Sequence, residues 1–234
     1  MPNPYFAFKK FTVYHNLCAM KVGTDGVLLG AWADIDSAKN ILDIGTGSGL
    51  IALMMAQRSE AFITGIDIDK DAVTQAKINF EASPWSDRMQ AIQEDLCQFS
   101  PQQSFDCIVS NPPFFVNSLK CADNQRNTTR HNDTLTLSQL LEKVSQLLLP
   151  NGKFSIVLPF EQNDTLMETA EEQGLYPTRH TQVITRPGLP PKRSLLEFRK
   201  QPAPYDTQEL VIELERHVYS KEYITLTKDF YLKM

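Results

Sequence analysis

Short apolar runs and amphipathic segments alternate along the middle of the chain, which is the pattern of an α/β protein. The amphipathic segments repeat apolar positions every three or four residues and several end at glycine or proline, as helices do. Strands that alternate with helices pair in parallel, so the pattern predicts a doubly wound, mostly parallel sheet. The predicted strands are 40–44, 61–66, 89–93, 105–110 and 153–158, and the predicted helices are 50–56, 70–80, 135–149 and 161–173.

The last third of the chain differs, because two strand-like runs follow each other without a helix between them. Arg179 to Thr185 and Arg193 to Phe198 alternate in polarity, and the proline-rich turn Pro187 to Pro191 joins them. This arrangement predicts an antiparallel hairpin near the C-terminus. The tail, Tyr205 to Met234, mixes aromatic and charged residues, and we expect a helix and a packed segment there.

The composition is that of an ordinary globular protein. The 234 residues are 42% hydrophobic and 22% charged, and no repeat or linker divides them. We expect a single domain over 1–234, with an N-terminal extension at 1–38 and a packed tail at 200–234. No apolar run reaches the roughly 18 residues of a membrane span, and the N-terminus lacks a signal pattern. A cytoplasmic protein without a membrane or an obligatory protein partner is therefore expected.

The net charge of -5 argues against broad nonspecific affinity for nucleic acid, although it allows a local basic patch. The four cysteines form no C-x-x-C pair and have no histidine at ligand spacing, so we expect free thiols and no metal site. Cys107 lies inside an apolar run and is interpreted as a small core residue.

A glycine-rich turn, 45–49, joins the first of the strands listed above to the helix that follows it. The turn reads Gly-Thr-Gly-Ser-Gly and comes directly after Asp43 and Ile44. Glycines at this spacing permit positive φ and let a ligand approach the backbone, and the helix N-terminus adds free N–H groups. The spacing is not the G-x-G-x-x-G of dinucleotide-binding folds. The turn therefore predicts a ligand site without indicating a dinucleotide.

Carboxylates follow the next two predicted strands, at the edge where open α/β sheets place their chemistry. Asp67 lies about 20 residues past Gly47, the distance at which an acid meets ribose hydroxyls. It could instead cap the next helix, but Asp69 is better placed for that role. Asp95 can accept from an adenine amine, or it can belong to a surface turn.

Asn111-Pro112-Pro113-Phe114 ends the fourth predicted strand. Two prolines cannot donate to a sheet ladder and they hold the backbone extended, so Asn111 should lie at the carboxyl end. Its carboxamide oxygen, the Pro112 carbonyl oxygen and the flat face of Phe114 can together hold a planar amine. The alternative is a loop in which the prolines merely stop the strand and Phe114 fills the core. Four successive strand ends thus carry Asp43, Asp67, Asp95 and Asn111.

Two further stretches belong near this edge. Thr24 and Asp25 follow Gly23 at the start of an apolar helical pattern, where either residue can cap the helix or contact a cofactor. Val27, Leu28, Ala31 and Trp32 are predicted to form one apolar face of that helix. The polar stretch 116–134 is interpreted as a long loop that serves as a lid or substrate contact, with plain disorder as the alternative.

The order of these motifs resembles that of the class I S-adenosylmethionine-dependent methyltransferases. The motifs concerned are D-I-G-T-G-S-G at 43–49, G-I-D-I-D at 65–69, E-D-L at 94–96 and N-P-P-F at 111–114. Other stretches are similar to the bacterial tRNA adenine-N6 methyltransferases, which modify the adenosine 3′ to the anticodon of a valine tRNA. These stretches are G-T-D-G-V-L-L-G-A-W at 23–32, N-P-P-F-F at 111–115, R-H-N-D-T-L-T-L at 130–137 and K-D-F-Y at 228–231.

The resemblance covers nearly the whole chain and implies a Rossmann-like sheet of seven strands, one of them antiparallel. It also implies S-adenosyl-L-methionine as the cofactor and tRNA as the substrate. The residues that it assigns to the cofactor are Thr24, Asp25, Asp43, Gly45, Thr46, Gly47, Gly49, Asp67, Ile68, Asp95 and Leu96.

The exocyclic amine of adenine is a poor nucleophile, because its lone pair is delocalised into the ring. Catalysis by such a site would therefore depend mainly on orienting the amine nitrogen towards the sulfonium methyl group. Asn111 Oδ1 and the Pro112 carbonyl oxygen would accept hydrogen bonds from its two N–H groups, and Phe114 would stack on the base. The positive sulfonium activates the methyl group, so no metal is expected.

Basic residues near the predicted edge are the candidates for binding RNA. They are Arg126, Arg130 and His131 after the catalytic strand, Lys192 and Arg193 in the late hairpin, and Lys9 and Lys10 near the start. The alternative is a set of solvated charges with no shared role. Two other functions stay open: a methyltransferase for another planar nitrogen, such as guanine N2 of rRNA or a protein glutamine amide, and a noncatalytic RNA-binding protein that keeps the cofactor fold.

Overall fold

The computed structural model describes residues 3–18, 20–113 and 135–234. Outside these ranges fall the predictions for the loop 116–134 and for Phe114, Arg126, Arg130 and His131.

The strands and helices follow one another along the chain much as predicted. The strands are β1 (Tyr5–Ala7), β2 (Thr12–Tyr14), β3 (Asn40–Ile44), β4 (Phe62–Asp67), β5 (Met89–Gln93), β6 (Phe105–Ser110), β7 (Leu148–Pro159), β8 (Tyr176–Ile184), β9 (Arg193–Arg199), β10 (Asp206–Val211), β11 (Glu213–Glu215) and β12 (Val218–Tyr219). The helices are α1 (Thr24–Trp32), α2 (Leu50–Arg58), α3 (Lys70–Glu81), α4 (Leu137–Leu147), α5 (Asn163–Glu172) and α6 (Lys221–Thr227).

Eight of these strands form the central sheet, in the order β10-β8-β9-β7-β6-β3-β4-β5. Seven of them run parallel, and β9 pairs antiparallel with both of its neighbours, β7 and β8. The predicted Rossmann-like α/β fold is confirmed, with its antiparallel C-terminal hairpin at β8 and β9. A second small antiparallel hairpin, β11 and β12, follows it.

The sheet contains one strand beyond the seven that the resemblance implies, because β10 in the tail pairs in parallel with β8. Within β10 Leu210 is buried, while the first four residues are exposed. An edge strand with so little apolar character leaves no alternating pattern for sequence reasoning to find. The tail also contains the predicted helix, as α6.

Helix α1 is buried on all sides from Gly26 to Trp32, which differs from the single apolar face predicted for it. A Cβ on Gly30 would lie only 2.7 Å from Met54 Sδ, so this glycine lets α1 pack directly on α2. Gly23 is the N-cap and no side chain caps the helix. The prediction that Thr24 or Asp25 caps α1 is therefore wrong, because both residues already lie in its first turn.

The other helix boundaries reflect their capping residues. Asp69 caps α3 by accepting from the Asp71 N–H over 2.9 Å, as predicted. Helix α4 begins at Leu137, two residues later than predicted, because Thr136 and Gln139 form a capping box.

Residues 150–152, between the predicted helix 135–149 and the predicted strand 153–158, lie inside β7. The pairing of β7 with β6 shifts from Phe105 opposite Leu148 to Cys107 opposite Lys153, so a bulge accommodates the extra residues. Residues 150–152 therefore interrupt the pairing with β6 without ending β7.

Two apolar clusters cover the two sides of the sheet. One joins α1, α2 and α3 to the N-terminal hairpin and the tail, with Phe8, Val13, Phe80 and Phe230 among its buried residues. The other lies under α4 and α5. No helix in the described ranges has the length and apolar character that crossing a bilayer requires, the longest being α3 with 12 residues.

Candidate active site

The carboxyl ends of four adjacent parallel strands, β6, β3, β4 and β5, form one edge of the sheet, which we call the carboxyl edge. Ile44 of β3 pairs with Ser110 of β6 and with Ile66 of β4, so these strands end at the same level. Residues that end these strands or follow them within a few positions therefore lie side by side. In strand order they are Asn111, the glycine-rich turn 45–49, Asp67 and Asp95.

The glycine-rich turn presents bare backbone to open space. Gly45, Gly47 and Gly49 have φ angles of 70°, 55° and 81°, a region that residues with a side chain rarely adopt. The Gly47 N–H donates to Asp67 Oδ2 over 2.9 Å, which ties the turn to the end of β4. Apart from the glycine itself and its two chain neighbours, no described atom lies within 4 Å of the position that a Cβ on Gly45 or Gly47 would occupy. A ligand can therefore approach this backbone closely.

Asp43 lies beneath the turn and is completely buried. Its Oδ2 accepts from Thr46 Oγ1 over 2.7 Å and from the Ala52 N–H over 3.2 Å. Its Oδ1 has no hydrogen-bond partner in the part of the chain that the structure describes. Burial raises the pKa of Asp43 to about 7, against the opposing effect of these two hydrogen bonds, and the nearby Asp67 charge raises it further.

Asp67 is half-buried at the end of β4, and its carboxylate is held in one orientation. Oδ2 accepts from the Gly47 N–H and Oδ1 accepts from the Asp69 N–H over 3.0 Å. Each oxygen keeps a lone pair for a further donor, such as a hydroxyl. The next side chain, Ile68, is 62% exposed and offers an apolar surface beside this carboxylate.

Asp95 belongs partly to a turn, which was the alternative interpretation of this residue. Its Oδ1 accepts from the Cys97 N–H over 2.9 Å. Leu96 is 5% exposed and packs in the core, so its side chain is not available at the surface of the site. The segment is held near Asp67 because the Glu94 N–H donates to the Asp67 carbonyl over 3.0 Å.

Asn111 directly follows β6 and is half-buried, whereas Pro112 is buried. The Asn111 carboxamide makes no hydrogen bond with any residue in the described ranges. A Cβ on Gly26 would lie 3.9 Å from Asn111 Nδ2, so the first turn of α1 borders the asparagine. The predicted proximity of the α1 start to the site agrees with this geometry.

Asp25, in the same first turn, forms an ion pair with Arg193, whose Nε lies 2.8 Å from Asp25 Oδ2. Arg193 begins β9 and pairs with Pro159 at the end of β7, so the late hairpin reaches the same side of the sheet. Two residues with different predicted roles, a cofactor contact and an RNA contact, are thus joined. Lys192 beside them is exposed.

Comparison with known proteins identifies the family. A family model described as "Methyltransferase small domain" matches residues 21–170. A tRNA1(Val) (adenine(37)-N6)-methyltransferase of Phocaeicola vulgatus is 55% identical over 234 residues, which is all of both chains. The chain belongs to the tRNA1(Val) (adenine(37)-N6)-methyltransferase family. A member from Parabacteroides distasonis is 53% identical over 237 residues, again covering both chains completely.

The fold of this family member also occurs in more distant methyltransferases. A predicted O-methyltransferase from Agrobacterium tumefaciens has a TM-score of 0.69 at 19% identity, covering 88% of this chain and 96% of that one. At that level of identity the likeness concerns the fold alone.

The amide side chains of α3 belong to the site region of this family member but escaped the sequence analysis. Asn79 Nδ2 donates to both Ser48 O, in the glycine-rich turn, and Tyr14 O, each over 2.8 Å. Its Oδ1 accepts from the Tyr14 N–H over 3.0 Å, and Gln75 Oε1 accepts from the Leu17 N–H over 3.1 Å. Two amides four residues apart among the apolar positions of α3 were the available signal.

Through these amides the segment after β2 runs beside the carboxyl edge. Cys18 lies close enough to Asp67, Asp69 and Asp71 that their charges add to burial, the main cause, in raising the pKa of its thiol to about 11. Cys18, Cys97 and Cys107 are free thiols, as predicted. Lys9 and Lys10, in contrast, lie in the turn of the N-terminal hairpin, where Lys9 Nζ donates to Lys228 O over 2.6 Å.

Proposed function

We propose that this protein transfers the methyl group of S-adenosyl-L-methionine to the exocyclic N6 amine of adenosine 37 in tRNA1(Val). The observation that carries the proposal is the Asn111 carboxamide, which stands next to the glycine-rich turn without a partner among the described residues. The names of relatives that match over the full length support adenosine 37 as the target.

The residues at the carboxyl edge fit S-adenosyl-L-methionine, a nucleoside joined to a cationic amino acid chain. Asp43 Oδ1 is a buried carboxyl oxygen without a partner among the described residues, and open space lies above Gly45 and Gly47. Carboxylates complement the positive sulfonium and ammonium groups. Asp67 would accept from the ribose hydroxyls and Asp95 from the adenine amine, while the glycine-rich turn would contact the amino acid portion.

The remaining cofactor contacts of the proposal lie on both sides of the turn. Thr24 and Asp25, at the start of α1, would border the amino acid portion, and Ile68 would pack against the nucleoside. Leu96 would contribute through its backbone, because its side chain lies in the core. Thr46 supports the site from below, where its hydroxyl holds Asp43 Oδ2.

When bound, S-adenosyl-L-methionine supplies a methyl group that its positive sulfonium makes electrophilic. Asn111 Oδ1 and the Pro112 carbonyl oxygen accept hydrogen bonds from the two N–H groups of the target amine. These hydrogen bonds hold the nitrogen lone pair out of conjugation with the ring. After transfer the nitrogen is cationic and strongly acidic, so water at the rim suffices to take its proton. The side chains of this site therefore act by orientation, and a strong general base is not required.

The neighbouring residues complete the substrate site in this proposal. Phe114 stacks on the adenine once the base has left the RNA stack. Arg126, Arg130 and His131, together with Lys192 and Arg193, contact the RNA backbone around the site. Arg193 also holds the first turn of α1 through Asp25.

The whole chain, 1–234, acts as one domain in this proposal. The packing of the N-terminal hairpin against the C-terminus supports it, since Phe8 bridges to Tyr231 and stacks on Phe11. Neither terminus would keep its apolar surface covered without the other.

The test is methylation of tRNA1(Val) transcripts by the purified protein with labelled S-adenosyl-L-methionine, followed by nucleoside analysis. We expect N6-methyladenosine in the transcript with A37 and no product when position 37 is guanosine. In parallel reactions that offer rRNA or total cell protein instead, label in guanine N2 or in a glutamine amide would show that the chemistry is right and the substrate wrong. If neither transcript contained labelled N6-methyladenosine, the proposal would be wrong.

A further inference from the structure

The N-terminal hairpin of β1 and β2 has one buried face and one exposed aromatic face. Val13 and Phe8 are buried in the core, whereas Tyr5 and Tyr14 are 43% and 41% exposed. These tyrosines are cross-strand partners, and their ring centroids lie 5.9 Å apart at an angle of 53°. Neither hydroxyl has a hydrogen-bond partner among the described residues. The pair therefore contributes little to the core and is free to contact another molecule.

The segment that carries this pair differs in charge from the rest of the chain. Residues 1–23 contain Lys9, Lys10 and Lys21 but no aspartate or glutamate, although the protein as a whole has a net charge of -5. All three lysines are exposed. An aromatic and basic surface on an acidic protein is complementary to single-stranded nucleic acid, whose bases stack and whose phosphates are anionic.

The hairpin is also connected to the active site. One nitrogen, Asn79 Nδ2, holds the carbonyls of Tyr14 and of Ser48 in the glycine-rich turn. Beyond Tyr14 the chain exposes Leu17 (42%) and Met20 (64%) before it enters α1 beside Asn111. Exposed apolar side chains thus lead from the tyrosine pair towards the carboxyl edge.

We infer that Tyr5 and Tyr14 form a stacking surface for unpaired bases of the tRNA loop that delivers its adenosine to Asn111. The inference rests on the proposed function and names the surface that holds the RNA outside the catalytic pocket. Bases that flank the target stack on the two rings, and Lys10 and Lys21 contact the phosphates between them. Aromatic side chains on an exposed sheet surface recognise single-stranded RNA in this manner.

The test compares Tyr5→Leu/Tyr14→Leu, which removes both rings, with Tyr5→Phe/Tyr14→Phe, which keeps them. Phe62→Leu is the matched control, because Phe62 is a 38% exposed aromatic at the start of β4, the end opposite to the site. Binding of an anticodon stem-loop is measured by fluorescence anisotropy, with a duplex RNA of equal length as competitor. Ultraviolet crosslinking and mass spectrometry identify the residues that touch the RNA, and calorimetry gives cofactor affinity.

We expect Tyr5→Leu/Tyr14→Leu to weaken stem-loop binding about tenfold or more, because one or two base–aromatic stacks would be lost. The phenylalanine pair and Phe62→Leu should bind like the wild type, cofactor affinity should stay unchanged, and crosslinks should fall on Tyr5 or Tyr14. Wild-type binding by the leucine pair, or crosslinks elsewhere, would overturn the inference. So would a wild-type dimer that the leucine pair converts to monomer, because the rings would then hold a second copy.

Binding and methylation are separate readouts, so the two claims fail separately. A wild type that methylates A37 while the leucine pair binds RNA normally contradicts only the stacking surface. A wild type that leaves A37 unmethylated but loses RNA binding with the leucine pair contradicts only the proposed function.

Discussion

At the amino edge of the sheet, where β3 and β6 begin, the side chains of Asp106 and Arg58 have partners in the same chain, whereas two polar groups at the carboxyl edge have none among the described residues. Asp106 accepts from the N–H groups of Lys39 and Asn40 over 2.9 and 2.8 Å. Arg58 donates to the carbonyls of Gly30 and Ala33 over 2.8 and 2.9 Å, which caps the end of α1.

The open groups at the carboxyl edge are Asp43 Oδ1, which is buried, and the Asn111 carboxamide, which is half-buried. Leaving a buried acceptor unpaired costs free energy, which a bound ligand with a donor group would offset. The difference between the edges therefore separates polar residues that build the fold from those that await a ligand. A substitution at the carboxyl edge should therefore have a different effect from the matched substitution at the amino edge.

The largest expected effect concerns the buried Asp43, and the half-buried Asp34 is its contrast, because their pKa values move in opposite directions. With its pKa raised to about 7, Asp43 stays protonated in the folded protein where the unfolded chain has lost the proton. The free energy of unfolding should therefore fall by about 4 kcal/mol as the pH rises from about 4 to 7. The Asp43→Asn side chain cannot titrate, so urea denaturation of this variant should show no such fall in the free energy of unfolding between pH 4 and 7.

Asp34 provides the contrast at the amino edge. Burial would raise the pKa of Asp34, but the hydrogen bond and charge of Lys153 outweigh it and lower the pKa below its ordinary value. Its contribution to stability is present above about pH 4 and is lost as the pH falls further. Asp34→Asn should therefore lower the stability above pH 4, remove the further loss of stability as the pH falls below 4, and leave the slope between 4 and 7 intact. Identical pH profiles for the two variants would contradict the comparison.

Asn111→Ala should lower kcat for tRNA by about a hundredfold or more, because the acceptor that orients the reacting amine is lost. Cofactor affinity should not change. Asn40, whose Oδ1 accepts from Gln103 over 3.2 Å at the amino edge, is the matched asparagine. Asn40→Ala should retain wild-type kcat, and single-turnover kinetics on both variants measure the chemical step. Near-normal turnover by Asn111→Ala would refute the role given to it.

Asp67→Ala should weaken S-adenosyl-L-methionine by about 1.5 to 3 kcal/mol, the range for hydrogen bonds to a charged group. Asp106→Ala removes a carboxylate that also accepts two backbone N–H groups, but at the other edge. It should lower the free energy of unfolding and leave cofactor affinity alone. Calorimetry of both variants measures their affinity for S-adenosyl-L-methionine. Equal losses of affinity would show that the two edges do not differ.

The smallest effect is expected for Lys192→Gln, an exposed charge beside the Asp25–Arg193 pair. Affinity for tRNA should fall a few-fold, and its dependence on salt should decrease by about one counterion. Lys39→Gln is the matched change at the amino edge, where that lysine is also exposed. A salt titration in which both variants keep the wild-type slope would exclude Lys192 from the RNA contacts.

Much of the site could be predicted because it depends on local patterns. The alternation of apolar runs predicts the strands, and the glycine-rich turn and the prolines at 112–113 mark where two of them end. Once the strands are parallel neighbours, their ends must meet, so Asp43, Asp67 and Asn111 converge without further information. The resemblance to a known family rests on the same local stretches.

Contacts between distant polar residues were decided only by the tertiary structure. Asp25 and Arg193 are 168 residues apart, and Asn79 joins Tyr14 to a turn 31 residues before it. No local pattern records such partners, because an ion pair or a shared amide depends on how helices and strands pack, which sets the final separation of the groups. The edge strand β10 was missed for a related reason, since its pairing with β8 relies on backbone hydrogen bonds and leaves most of its side chains exposed. The sequence by itself determined which residue types stand at each strand end, and packing alone decided which of them are paired and which stay open to a ligand.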